Sequence, residues 1–293
     1  MSSPHTVLTR SEWAPLARAH EESVDKLTKA HLDRHAQGEK HPVWDFLFDY
    51  YRNSPGKFRR WHPGAGVALE GECPHSRWKY YHSDGDLTWC DAEEFLDKRG
   101  STARYIANLL RATTEHTAHF DCFCLHEWAM CYKGTPRHTL PLRLGGDGVV
   151  DVIDREDIRC THYDAFRFFT DQARPLNQTQ LTRDSQPRME QSGCLHATMD
   201  LYKWSFKMEP LIPSQITYDA FLLACDAREL DMQASPYDCR AYGLEPVAIE
   251  TTAGKAEFVH RQRELARRGT VLRERLLNAL ATAGVKPVTL PER

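Results

Sequence analysis

The 293-residue chain has no strong excess of either charge: 38 Lys and Arg stand against 41 Asp and Glu, a formal −3. A sequence-independent phosphate binder is marked by a basic excess, so nucleic acid is demoted as a partner, a local basic groove aside. No stretch approaches the roughly 18 uninterrupted apolar residues of a membrane span. The opening MSSPHTVLTRSEW has no apolar core of the signal-peptide kind, so a cytoplasmic protein without membrane contact is expected. Nine cysteines include no Cys-x-x-Cys pair, and their odd number fits reduced thiols better than a disulfide framework. Nucleophile elbow, phosphate loop and flavin signature are all missing. Gly145-Gly146-Asp147-Gly148 is too short for a dinucleotide fingerprint and reads as a hairpin turn.

What is present is the balance of a globular chain, 41% hydrophobic and 27% charged. Apolar periodicity predicts helices over 11–36, 43–51, 91–114, 194–208, 214–232 and 252–283, with short strands at 67–69, 79–81 and 247–250. Residues 140–170 read as β-rich. Without repeats or low-complexity linkers, the expected architecture is α+β: a mainly helical single domain with a small antiparallel sheet, spanning 1–293, in which 1–40 is a candidate helical arm. The polar stretch RPLNQTQLTRDSQPRMEQS, 174–192, carries no secondary-structure signal. Loops this long are usually functional or disordered, and this one is expected to be a lid.

Fifteen histidines are the feature that asks for chemistry. On a helix over 194–208, His196, Asp200, Lys203 and Lys207 form one stripe between two apolar shoulders, which points the stripe inward; the alternative is a solvated face. His and Asp at i and i+4 can reach one metal ion. If 158–169 is extended, Cys160, His162 and Asp164 share a buried face. A His-x-Asp followed by a distant His is the ligand order of many facial-triad iron sites, in which two imidazoles and one carboxylate leave positions open for dioxygen and substrate; a buried, purely structural His–Asp pair is the alternative. His126 and Glu127 sit in the strongly apolar HFDCFCLHEWAMCY, which should be buried, so their polarity needs a partner. A zinc site with Cys122 or Cys124 is disfavoured, because the two cysteines would splay on a helix.

The candidate metal ligands are therefore His126, His162, His196 and Asp200. Candidate catalytic groups are Asp164, Glu127 and Lys203, and candidate substrate contacts are Arg143, Arg167, Tyr163 and Tyr202. Which of Asp164, Asp200 and Glu127 supplies the metal carboxylate is left open by spacing alone.

Several segments, HFDCFCLHEWAMCY, IRCTHYDAFRFFTDQARPLN, GCLHATMDLYKW, KHPVWDFLFDYY, RWHPG and ELDMQASPYD, resemble an actinobacterial family generally labelled 3-methyladenine DNA glycosylase, over roughly Ser11 to Arg275. Helix-hairpin-helix glycosylases carry an L-P-G-x-G hairpin feeding a helix. The nearest match here, Arg143 to Gly148, is followed by Val149 and Val150, which disfavour a helix. The same segments also look like the non-heme iron oxygenases associated with oxazinomycin biosynthesis. That resemblance implies a mononuclear Fe(II) centre with dioxygen as cosubstrate, remodelling the pyridine ring of a C-nucleoside into a 1,3-oxazine. The expected partner is then a small nucleoside-like molecule. A DNA N-glycosylase excising alkylated purines and a non-catalytic binding protein are the alternatives.

Overall fold

A computed structural model describes residues 4–286. In chain order the elements are β1 (Thr6–Leu8), α1 (Arg10–Ala36), α2 (Phe46–Asp49), α3 (Pro55–Phe58), β2 (Val67–Glu70), β3 (Tyr81–Asp84), β4 (Leu87–Cys90) and α4 (Ala92–Glu115). They continue with α5 (Leu125–Ala129), α6 (Gly145–Arg155), α7 (Tyr163–Phe166), α8 (Gln186–Met189), α9 (Leu195–Met208), α10 (Ser214–Ala234) and α11 (Thr252–Thr282). The mainly helical α+β class is as the sequence predicts. The chain divides into two compact units, one made of residues up to Arg111, Leu201–Leu222 and from Val271, the other of Ala112–Asp200 and Leu223–Thr270. Among the described residues, no helix is long and apolar enough to cross a membrane.

The first unit holds the sheet, in the order β1-β2-β4-β3. β1 runs parallel to β2, while β2–β4 and β3–β4 are antiparallel, so the sheet is mixed. Gly85, at φ +57°, makes the tight β3–β4 turn, a conformation that costs a residue with a Cβ more. α1 starts where the Thr9 backbone N–H donates to Glu12 Oε2 at 2.8 Å, half of a capping box. Phe48, Phe58, Tyr202 and Phe221 form an aromatic core, with Phe221 5.4, 5.2 and 5.1 Å from the other three rings in that order. Large buried aromatic side chains dominate the energy of such a core.

The second unit is where sequence and structure part. The β-rich reading of 140–170 is corrected: Gly145–Arg155 is helical, and the expected hairpin turn is its first turn. Val149, Val152 and Ile153 fall at i, i+3 and i+4 and are all buried. Burying each is worth about 1.5–3 kcal/mol, far more than the few tenths that β-branching costs a helix. The extended reading of 158–169 fails likewise, because Tyr163–Phe166 is a helical turn capped by His162. The 119–132 segment is buried only from Cys124 on, His119 being exposed, and only Leu125–Ala129 of it is helical, since Phe123 and Cys124 precede it at φ 46° and 60°. The expected strand at 247–250 is irregular chain, and that at 79–81 is displaced to Tyr81–Asp84.

The 174–192 stretch is not free of structure. It forms 3-10 turns at Arg174–Leu176 and Arg183–Ser185 and then α8. Asn177 clamps it to the preceding segment, its Oδ1 accepting from Cys160 N at 2.8 Å and its Nδ2 donating to Cys160 O at 3.0 Å.

Candidate metal centre

Three histidines of the second unit converge. His126 sits on α5, His162 caps α7, and His196 lies in the first turn of α9, each at most 9% exposed. The His126 and His196 rings meet edge to face at 4.4 Å, and His162 stacks on His196 at 5.3 Å. Carboxylates close on them in two groups. One is His126, Glu127, His196 and Asp231; the other is His162, Glu190 and Asp200; within each group the ligand atoms lie within 4.8 Å of one another. His196 and Asp200 face inward on α9 as the helical stripe predicts, whereas Lys207, of the same stripe, is exposed.

In the first group His126 Nε2 is 3.1 Å from Asp231 Oδ1, and Arg228 Nη1 holds the other oxygen, Oδ2, at 2.9 Å. Asp231 sits in the last turn of α10, where the helix dipole disfavours a negative charge. Burial also opposes its charge, but His126 and Arg228 outweigh both and hold its pKa well below the usual carboxylate range. Burial opposes charge on His126 too, yet its hydrogen bond to Asp231 raises its pKa well above that of a free imidazole. Burial and then Asp231 push Glu127 the other way, upward toward the protonated form. His196 is driven well below the ordinary histidine range by burial and by His126. Neutral His196 keeps a lone pair for a metal, whereas an ion would have to displace the His126 proton.

The second group differs in one atom. His162 Nδ1 accepts a hydrogen bond from Ala165 N at 3.3 Å. A neutral imidazole that accepts at Nδ1 carries its proton on Nε2, and that nitrogen faces Glu190 Oε1 at 3.3 Å and Asp200 Oδ2 at 3.5 Å. His162 is thus set to bridge two carboxylates. The Glu190 turn is pinned on every side: its carbonyl lies 2.6 Å from His116 Nδ1, and Gln191 Oε1 accepts from His119 N and Gly193 N at 2.9 and 2.7 Å. Gly193 is required here, since a Cβ would lie 2.3 Å from the His119 carbonyl oxygen.

All three imidazoles line one small cavity of about 10 Å³ together with Cys122, Cys160 and Gln262, room for about one water. Two of its thiols are held neutral, burial pushing Cys160 up to about 12 and Cys124 well above its ordinary value. Neutral thiols leave imidazole and carboxylate as the donors that fit a metal, a set suited to iron. Gln262 is 2% exposed and donates from Nε2 to Gly193 O at 2.8 Å, which fixes its orientation. Its Oε1 has no hydrogen-bond donor among the described residues. A buried acceptor of this kind calls for a donor, an ordered water or a bound ligand.

The remaining expected residues lie elsewhere. Asp164 Oδ1 pairs with Arg167 Nε at 3.1 Å and belongs to neither group, and Arg167 stacks on Phe168 at 4.2 Å. Arg143 is engaged by Glu250 at 2.9 Å and lies over Trp128 at 5.5 Å, while Arg183 lies over Tyr163 at 5.9 Å. Lys203 and Tyr202 belong to the first unit, Lys203 over Trp204 and Tyr202 in the aromatic core. Sequence reasoning passed over Asp231, Arg228, Glu190 and Gln262. A signal existed for Asp231, an acid among the buried Leu230, Met232 and Ala234 at the end of an apolar helix. Comparison of the chain with protein-family models, with curated proteins and with solved structures finds no match.

Proposed function

We propose that the protein is a mononuclear non-heme Fe(II) oxygenase acting on an aromatic ring of a small nucleoside-like molecule, with His126, His196 and Asp231 as the metal ligands. The observation that carries this reading is the buried meeting of two imidazoles with Asp231 and Glu127 within 4.8 Å. Iron held by two imidazoles and a carboxylate supplies open positions for dioxygen and substrate. Around it the chain's own groups have separable tasks. Arg228 orients Asp231 and balances its charge in a dry site. Cys122 Sγ, 3.7 Å from His126 Nδ1, sets the ring angle. Gln262 Oε1 accepts a hydrogen bond from whatever occupies the cavity, and Leu195 and Phe258 help to keep bulk water out. Glu127, whose pKa is raised by burial, lies beside the donor set. The His162, Glu190 and Asp200 group then supports the centre by packing, His162 stacking on His196 between two carboxylates, without a metal of its own. Conversion of a pyridine-type ring to a 1,3-oxazine is the outcome that the family resemblance implies.

A DNA N-glycosylase is the second reading, favoured by one observation: Val149 and Val150 do lie in a helix, α6, of which Gly145–Gly148 is the first turn. That chemistry needs no iron. Dioxygen consumption by anaerobically Fe(II)-loaded protein, presented with pyridine C-nucleosides, separates the readings. Uptake that stops on chelation supports the oxygenase. Release of alkylated bases from DNA by chelated protein, with no dioxygen uptake, contradicts it.

A further inference from the structure

A ring cannot enter a cavity of about 10 Å³, because ligand pockets run to roughly 300–1,000 Å³. A second depression, of about 590 Å³, is open to solvent and lined by Phe123, Lys255, Val259, His260, Arg263 and Arg267. The two are separated by a single thickness of chain. Phe123 lines the outer groove while its neighbours Cys122 and Cys124 line the inner cavity. On α11, Val259 and Arg263 face outward where Phe258 and Gln262 face inward.

The outer groove combines ring faces with cations. Arg263 lies 5.3 Å over the Phe120 ring and Lys255 Nζ 5.1 Å over Phe123. Lys255 is neutralised by Glu156 and Arg267 by Glu264. Arg263 is exposed and has no carboxylate partner among the described residues, so its guanidinium is available to a phosphate in the bidentate manner. An aromatic platform beside a forked cation recognises a flat base together with its phosphate. The partition itself is conformationally stressed, with Phe123 at φ 46° and Cys124 at φ 60°, where bulky residues are outliers. Strain at a wall between two chambers marks the place where that wall can open.

We propose that this groove binds a planar heteroaromatic ring carrying a phosphate, a mononucleotide-like molecule, and that the Phe120–Cys124 loop is the door through which the ring reaches the buried centre. The door rests on the oxygenase reading; the groove does not.

The test is calorimetric titration of metal-free and Fe(II)-loaded protein with adenosine 5′-monophosphate, adenosine, inorganic phosphate and an eight-nucleotide single strand. The mononucleotide should bind both forms, with adenosine and phosphate each about tenfold weaker or more. Arg263→Ala should bring the mononucleotide down to the level of adenosine and leave Fe(II) binding unchanged. Phe123→Gly, which removes the ring and accepts the positive φ, should speed loss of Fe(II) to EDTA by about tenfold, and in the native chain the mononucleotide should slow that loss. Equal affinity for adenosine and its phosphate, or indifference to Arg263→Ala, overturns the groove. Binding of the strand tenfold tighter than the mononucleotide also overturns it and assigns the surface to a nucleic acid. An unchanged chelation rate in Phe123→Gly overturns the door alone. Mononucleotide binding that depends on Arg263 in a protein that takes up no iron upholds the groove and removes the oxygenase reading.

Discussion

The two units bury histidines to the same depth, and His62 and His75 of the first are used in the opposite way to His126 and His162 of the second, while His31 of the first faces Asp45 at 2.9 Å. In the first, His62 and His75 are 7% and 1% exposed, as deep as His126 and His162 at 3% and 2%. His62 Nδ1 meets the Tyr81 hydroxyl at 2.9 Å, and His75 Nε2 meets the Trp61 carbonyl at 2.7 Å. Their other neighbours are rings, Trp78 lying 5.4 Å from His62 and 4.4 Å from His75. Burial drives His62 well below the ordinary histidine range, and His75 to about 4. In the second unit each histidine group faces carboxylates, and His126 is driven upward instead. Depth therefore says little about a histidine's task; the charge of what it faces says much more.

The sharpest way to break the contrast is to remove a ligand. His196→Ala and Asp231→Asn should abolish Fe(II) uptake, a loss of at least about a hundredfold in affinity, with the fold retained. The pair His62→Phe and His75→Phe should leave uptake unchanged. Metal analysis after anaerobic loading and desalting reads both.

Next in size is His162→Ala. It removes the imidazole from between Glu190 and Asp200, both 2% exposed at their side chains, while Glu190 Oε1 keeps its bond from Gln186 Nε2. Breaking such a buried pair costs about 3–5 kcal/mol, read as a lower urea midpoint, while iron uptake stays at wild-type stoichiometry. Unchanged stability with lost iron would move His162 into the ligand set.

Acid sensitivity comes third. Between its ordinary pKa of 6.5 and the folded value of about 4, His75 takes a proton in the unfolded chain that the folded chain refuses. Stability is thus fully present above pH 6.5 and falls as the pH drops, by about 3 kcal/mol near pH 4. His75→Gln should flatten that limb in urea titrations at pH 7 and 4.5. Smallest is Gln262→Leu, which loses the bond to Gly193 O, about 1 kcal/mol, and should weaken iron binding only several-fold.

Much of this was legible in the sequence where a period decides the face. α9 came through because Leu195, Met199 and Tyr202 flank His196 and Asp200 at helical spacing, and all five are buried. α6 was misread because Val149 and Val150 carry strand propensity, which burial of Val149, Val152 and Ile153 overrides. Cys160, His162 and Asp164 are buried as the extended pattern predicts, but the His162 cap makes the segment a helical turn and Asp164 pairs with Arg167. Glu190 and Gln262 gave no signal at all. One lies in a polar loop and the other on a charged helix, and only the long-range clamps through Gln191 and Gly193 carry them to the centre.

The central claim is that a single iron sits on His126, His196 and Asp231. Anaerobic calorimetric titration of the chelator-treated chain with Fe(II) tests it most directly. The account predicts saturation at about one ion per chain in the native protein and in His162→Ala, and no saturable uptake in His126→Ala with His196→Ala. Full uptake in that double variant, or none in the native chain, would contradict it.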